Sequence, residues 1–282
     1  MRSKRFAVVG DPVAHSKSPA MHGAAFRALG LPHTYEAVRF TADELPQAVA
    51  MLREGTFDGL NVTVPHKERV LSLADHLDAS ARVAGAANTL VRDADGRVVA
   101  YNTDAPALAA ELRRLLGPVP LPGGFRALVL GSGGASRAAI AALGVNLGFA
   151  DVVVRARAFA ENGRKEAFAA SAPCPVTPQP WCASPGSEAR TLAIVQATSA
   201  GMQGADAGEA VTAVVAWDAL PTGAVAIDVV YAPPSTPWLR AARARGLRCD
   251  NGLGMLARQG ALALELWLGI EAPLEVMRAA IE

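Results

Sequence analysis

The chain has 282 residues, 51% hydrophobic and 19% charged, with a formal net charge of +1. That content supports a sizeable core in about two domains and excludes wholesale disorder. Charges of both signs are scattered along the chain, leaving no basic stripe for nucleic acid and no polybasic patch for a membrane. Three cysteines without a CxxC pair and five scattered histidines offer no disulfide framework and no metal-ligand spacing. No metal is therefore expected, the partner is expected to be a small molecule, and the cytoplasm is the expected compartment.

In chain order, a basic start runs into an apolar strand over residues 6–10, too short for a signal peptide. No stretch approaches the ~20 apolar residues of a membrane span. Strands predicted over 34–38, 59–64, 87–91 and 98–101 alternate with helices over 19–29, 41–53, 67–73 and 78–83. A helix over 106–116, with Pro106 tolerated in its first turn, leads to a Pro/Gly segment at 117–124 that punctuates the chain. Further strands are predicted over 126–130, 151–154, 194–197 and 224–229, with a helix over 137–147 and a Ser/Pro/Ala-rich loop over 171–190. An apolar run over 255–267 reads as a buried helix. This alternation is that of an α/β protein with mostly parallel sheets.

Residues 61–67 read Asn61-Val62-Thr63-Val64-Pro65-His66-Lys67. On a strand, Asn61 and Thr63 share one face while Val62 and Val64 share the other, where they can be core. Pro65 has no N–H and stops the ladder, so the chain turns and presents Lys67 near the strand's carboxyl end. Amide, hydroxyl and ammonium together suit a small polyhydroxylated substrate, and a lysine can also move a proton. The same alternation also fits an edge strand with solvated polar residues.

The second half carries a different device. The strand over 126–130 runs into Gly131-Ser132-Gly133-Gly134-Ala135 and then a helix. Strand, glycine turn and helix come in the order a dinucleotide site needs, where Gly131 allows the tight turn, Gly133 lets backbone approach the pyrophosphate, and the helix start supplies N–H donors, although a purely structural turn has the same order. The next strand ends in Arg155-Ala156-Arg157. Arginine there favours the 2′-phosphate of NADP over the free ribose hydroxyl of NAD, although it is also ordinary solvated surface.

Several separate motifs occur in one order: the stretch from Gly10 through Ser16 and Ser18 to Pro19, residues 61–67, Gly85-Ala86-Ala87-Asn88-Thr89-Leu90 and Asn102-Thr103-Asp104. They continue in Ala197-Thr198-Ser199-Ala200-Gly201-Met202, Asp228-Val229-Val230-Tyr231, and Gly252-Leu253-Gly254-Met255-Leu256 with Gln259. Together the chain resembles the shikimate dehydrogenase family over nearly its whole length.

The resemblance implies an N-terminal α/β substrate domain over 1–105, completed by C-terminal helices over 253–282. It also implies a Rossmann-like doubly wound NADP-binding domain over 106–252, with the active site in the cleft between the two. It implies NADPH-dependent reversible reduction of 3-dehydroshikimate to shikimate, by a monomer or homodimer. Lys67 and Asp104 would be the catalytic pair. Ser16, Ser18, Asn61, Thr63, Asn88, Tyr231 and Gln259 would bind substrate. Gly131, Ser132, Gly133, Gly134, Ala135, Arg155, Arg157, Thr198, Met202, Val229 and Gly252 would bind NADP(H).

The chain departs from the family pattern in three places. Arg155-Ala156-Arg157 replaces the usual Asn-Arg-Thr clamp, Gln196 stands where asparagine is usual, and Ala105 where glycine is usual. The alternatives are a quinate or broad-specificity dehydrogenase and a non-catalytic ligand sensor, the latter opposed by the presence of both Lys67 and Asp104.

Overall fold

The computed structural model describes residues 2–118, 124–182, 187–202 and 204–282. Its strands are β1 (Arg5–Gly10), β2 (Thr34–Arg39), β3 (Gly59–Val62), β4 (His76–Leu77), β5 (Thr89–Arg92), β6 (Val98–Tyr101), β7 (Arg126–Leu130), β8 (Val152–Arg155), β9 (Thr177–Gln179), β10 (Thr191–Gln196), β11 (Val225–Asp228) and β12 (Arg248–Asp250). Its α-helices are α1 (Ser18–Ala28), α2 (Leu45–Arg53), α3 (Ala79–Ala84), α4 (Asp104–Leu116), α5 (Gly134–Ile140), α6 (Arg164–Ala170), α7 (Glu209–Thr212), α8 (Pro237–Ala244), α9 (Leu253–Leu268) and α10 (Leu274–Ala279). They form two compact units, Met1–Ala107 with Leu256–Glu282, and Leu108–Met255. The architecture is α/β with two parallel-rich sheets.

The first unit holds a sheet of order β2-β1-β3-β5-β6-β4, parallel except where β5 pairs antiparallel with β3 and β6. Side chains alternate across it. Ala7, Val9, Leu60, Val62, Leu90 and Ala100 face an apolar core shared with Leu45, Val49 and Leu52 of α2. The other face carries two cross-strand rows, Tyr35-Phe6-Gly59 and Val8-Asn61-Thr89-Tyr101. Gly59 leaves this second face open, since a Cβ there would collide with Trp267 Nε1. The indole occupies that space, stacks on Phe6 at 4.8 Å and donates to Leu90 O at 3.0 Å, fixing α9 over the sheet.

β3 is shorter than its sequence predicts. The last N–H that this segment gives to β1 runs from Thr63 N to Val9 O, Val64 O still accepts from Asp11 N, and a turn closed by His66 N to Thr63 O follows, because Pro65 has no N–H to donate. Val62 is buried, but Val64 is 60% exposed and not the second core valine that the alternation predicts. The helix expected over 67–73 is a 3-10 stretch, Arg69–Leu73.

The second unit holds an all-parallel sheet of order β12-β11-β10-β7-β8-β9. The strand order reverses between β7 and β10, which marks the topological switch point where such sheets take their ligands, at the carboxyl ends of the strands. Leu128, Leu130, Val153, Ile194 and Ala226 pack here with Trp238 and Leu239 of α8. Within the Pro/Gly segment at 117–124, residues 119–123 lie outside the described residues. The stretch 171–190, expected as loop, contains β9, which extends the sheet beside β8, while 183–186 lie outside the described residues. Among the described residues no helix is long and apolar enough to cross a membrane.

Candidate active site

Lys67 follows the turn that ends β3, and its carbonyl accepts from Ala87 N at 2.8 Å. Asn102 opens α4: its Oδ1 accepts from Ala105 N and its Nδ2 donates to Ala86 O, each at 2.9 Å. Asn102 thereby caps the start of α4. Asp104 sits in the first helical turn, where a carboxylate is favoured by the helix dipole, and its side chain is 5% exposed. Its Oδ2 accepts from Lys67 Nζ at 2.7 Å and its Oδ1 from Asn88 Nδ2 at 3.0 Å.

Asn88 is the hub. Its Oδ1 accepts from Thr103 N at 2.7 Å, which fixes the orientation of the amide. Its Nδ2 faces three acceptors, Thr103 Oγ1 at 2.9 Å, Asp104 Oδ1 at 3.0 Å and Gln259 Oε1 at 3.1 Å. Two N–H groups meet three acceptors, so the cluster has acceptor capacity to spare. Gln259 comes from α9, with Nε2 donating to Leu256 O at 2.9 Å.

Asn61 joins the same network from β3. Its register partner on β5 is Thr89, and cross-strand neighbours on one face interact directly. Asn61 Nδ2 donates to Thr89 Oγ1 and to Asn88 O, both at 3.0 Å, while Oδ1 accepts from the Tyr35 hydroxyl at 2.7 Å. Both amide N–H groups are therefore engaged within the protein, and Oδ1 is the atom left to meet a ligand hydroxyl. The Tyr35 ring lies on His22 at 4.2 Å and 7°. Burial raises the Tyr35 phenol far above its usual range, with a hydrogen bond to Ser18 opposing. Burial likewise pushes the His22 imidazole down to about 3, so it stacks as a neutral ring.

Ser18 is buried at the start of α1, and its N–H donates to Ser16 Oγ at 3.2 Å. Thr63 is half-buried beside Gly10, where a Cβ would collide with Thr63 Cγ2. The first unit thus brings Ser18, Asn61, Asn88, Asp104, Lys67 and Gln259 into contiguous hydrogen-bonded groups. Tyr231 lies in the second unit, half-buried after β11. Sequence reasoning missed Tyr35. The available signal is an aromatic hydroxyl in β2, next to a strand whose neighbour carries Asn61 on the same face.

In the second unit, the turn from β7 to α5 has the form a dinucleotide needs. Gly131 has φ +119°, and a Cβ there would fall 2.8 Å from Ser136 Oγ and 3.0 Å from Ala197 O. A Cβ on Gly133, the residue preceding α5, would meet nothing within 4 Å, so its backbone is open to approach. Ser132, Gly134 and Ala135 are half-buried around it, and Ser136 Oγ is buried without a hydrogen-bond partner among the described residues. Thr198 and Met202 lie on the loop after β10, and Val229 follows β11. A Cβ on Gly252 would collide with Val229 O. These residues fit a dinucleotide at the switch point.

Arg155 corrects the expected phosphate clamp. It is the last residue of β8 and is 3% exposed. Its guanidinium pairs with buried Glu188 and donates to Val214 O at 2.7 Å, Gln179 Oε1 at 3.1 Å and Ser187 Oγ at 3.2 Å. Those bonds turn it inward, away from any ligand. Arg157 is the exposed cation of the pair, 3.6 Å from Asp206. Among the described residues no three His, Cys, Asp or Glu side chains are grouped to hold a metal ion.

Known proteins place these features in one family. Residues 8–90 match the shikimate dehydrogenase substrate binding domain and residues 252–282 the shikimate 5'-dehydrogenase C-terminal domain. The chain is 42% identical to the shikimate dehydrogenase (NADP(+)) of Methylobacterium radiotolerans, over 93% of this chain and 90% of that protein. The crystal structure of shikimate 5-dehydrogenase from Thermus thermophilus, in complex with NADP(H) and shikimate, superposes with a TM-score of 0.81 at 38% identity, covering 99% of this chain and 98% of that one. The 5-ketofructose reductase of Gluconobacter sp. strain CHM43 also has a TM-score of 0.81, at 30% identity over 100% of this chain and 98% of that one. With such identity over nearly its full length to proteins of that name, the chain belongs to the shikimate dehydrogenase family.

Proposed function

We propose that the chain catalyses the NADP(H)-dependent interconversion of 3-dehydroshikimate and shikimate. Residues 1–105 with 253–282 would hold the ring acid and residues 106–252 the cofactor. The observation that carries the reading is the 2.7 Å Lys67–Asp104 pair set into the Asn88 hub. NADPH, when bound, supplies the hydride that reduces the C3 carbonyl carbon. Lys67 Nζ donates a hydrogen bond and then its proton to the developing alkoxide, completing the hydroxyl. Asp104 holds the ammonium in place through a charge-assisted hydrogen bond. The surplus of acceptors around Asn88, together with Asn61 Oδ1, matches the hydroxyl donors of a polyol ring. Ser16 and Ser18 would take the carboxylate, with Thr63 and Tyr231 adding hydroxyls.

On the cofactor side, Gly131, Ser132, Gly133, Gly134 and Ala135 would cradle the pyrophosphate. Thr198, Met202, Val229 and Gly252 would line the rest of the site, and Arg157 would meet the 2′-phosphate. Initial rates with shikimate and quinate, each with NADP⁺ and NAD⁺, test the assignment. Fastest turnover is expected for shikimate with NADP⁺. Turnover of quinate without shikimate would overturn the substrate, and no oxidation of either acid would favour a ligand sensor.

A further inference from the structure

Gln196 ends β10 and Asp228 ends β11, as register partners on adjacent parallel strands, both without solvent exposure. Gln196 Oε1 accepts from Thr198 N at 2.5 Å, and Nε2 donates to Ala200 O and to Asp228 Oδ1, each at 3.1 Å. Asp228 Oδ1 also accepts from Val230 N at 3.0 Å, and Oδ2 accepts from Thr236 Oγ1 at 2.6 Å. Thr236 Oγ1 in turn accepts from Leu239 N at 3.1 Å and so caps α8. One amide and one carboxylate thereby tie together the loop after β10, the chain leaving β11 and the start of α8.

The loop over 197–202 borders the crevice at the switch point. A Cβ on Gly131 of the glycine turn would fall 3.0 Å from Ala197 O and 3.1 Å from Thr198 Cγ2. A Cβ on Gly201 would fall 2.9 Å from Thr236 Cγ2. The loop is thus confined by the β7 turn on one side and Thr236 on the other, and Gln196 holds it from below through one bond to Thr198 and one to Ala200. A side chain one methylene shorter would set its amide back from these three partners.

We propose that Gln196, anchored on Asp228 and Thr236, is a positioning residue that sets the affinity for NADP(H) by fixing the 197–202 loop over the crevice between β7 and β10. The inference rests on the proposed reading of that crevice as the cofactor site. It assigns an affinity-setting role to Gln196 and Asp228, side chains that need not touch the cofactor.

The test is equilibrium binding of NADP⁺ to the full chain, paired with the KM for shikimate. Gln196→Ala is expected to weaken NADP⁺ binding about tenfold, the effect of leaving buried polar partners unmet, while the KM for shikimate moves by less than about twofold. Asp228→Ala should match it, and the double variant should be no worse than either single one, since both break the same tie. Asp228→Asn keeps an oxygen for Gln196 and Val230 and should restore binding to within about twofold of the parent. Gln196→Asn, which keeps a buried amide, should show a loss of intermediate size and carries the test if the alanine variant does not fold. Unchanged NADP⁺ affinity in a folded Gln196 variant, additive losses in the double variant, or equal losses for NADP⁺ and shikimate would overturn the proposal. A parent chain that binds no NADP⁺ would instead overturn the reading of the crevice itself.

Discussion

The Tyr35 hydroxyl donates to Asn61 Oδ1 at 2.7 Å, reaching across β1 from β2 to β3. That bond orients the one atom of Asn61 left to meet a ligand, and the His22 stack holds the phenol in place. Tyr35→Phe keeps the stack and deletes the bond, a loss of about 1 kcal/mol. The KM for shikimate should rise about fivefold with the KM for NADP⁺ unchanged, as initial rates would reveal. Equal rises in both KM values would mean that Tyr35 serves only the fold.

Arg155 and Arg157 are predicted to part company. Arg155→Ala leaves the Glu188 carboxylate buried without its cation, and should lower unfolding stability by about 3–5 kcal/mol in urea titrations. Arg157→Ala should leave stability intact and weaken NADP⁺ binding about tenfold, the effect of one lost charged hydrogen bond, with NAD⁺ binding unmoved. An unaltered NADP⁺ over NAD⁺ preference would remove Arg157 from the cofactor site.

Asp228 gives a pH signature of its own. Burial raises its carboxyl from the ordinary 3.8 to about 6, against the lowering effect of Thr236, Val230 and Gln196. Protons therefore bind the folded chain more tightly than the unfolded one. The associated stability is fully present below about pH 3.8 and is lost as pH rises through about 6. Asp228→Asn removes the titration, so the stability of the parent relative to this variant should fall by up to about 3 kcal/mol between pH 4 and pH 7. Denaturant titrations of both proteins across that range would measure it, and parallel stability curves would contradict it.

The α/β architecture is readable in the sequence because its signals are local. A short apolar run such as Ala127-Leu128-Val129-Leu130, bounded by Gly124 and Gly131, reads as a buried strand. Gly131 is readable for a similar reason, since its turn leaves no room for a Cβ. What escaped depends on partners distant in sequence. Arg155 looks like a surface cation until Glu188, 33 positions on, is folded against it. Val64 alternates correctly but follows the end of β3, so it faces solvent. The orientation of Asn61 is set by Tyr35, Asn88 and Thr89, which lie on β2, in the residue before β5 and on β5. No spacing rule links them.

In the proposed reaction Lys67 protonates the oxygen formed on reduction. The direct test is kcat for reduction of 3-dehydroshikimate by NADPH at neutral pH, in the parent and in Lys67→Ala shown by circular dichroism to be folded. A fall in kcat of about 10²–10⁴-fold, the usual weight of a positioned proton donor, with NADPH affinity unchanged, is the result the geometry predicts. A folded Lys67→Ala protein that keeps the parent kcat would contradict it.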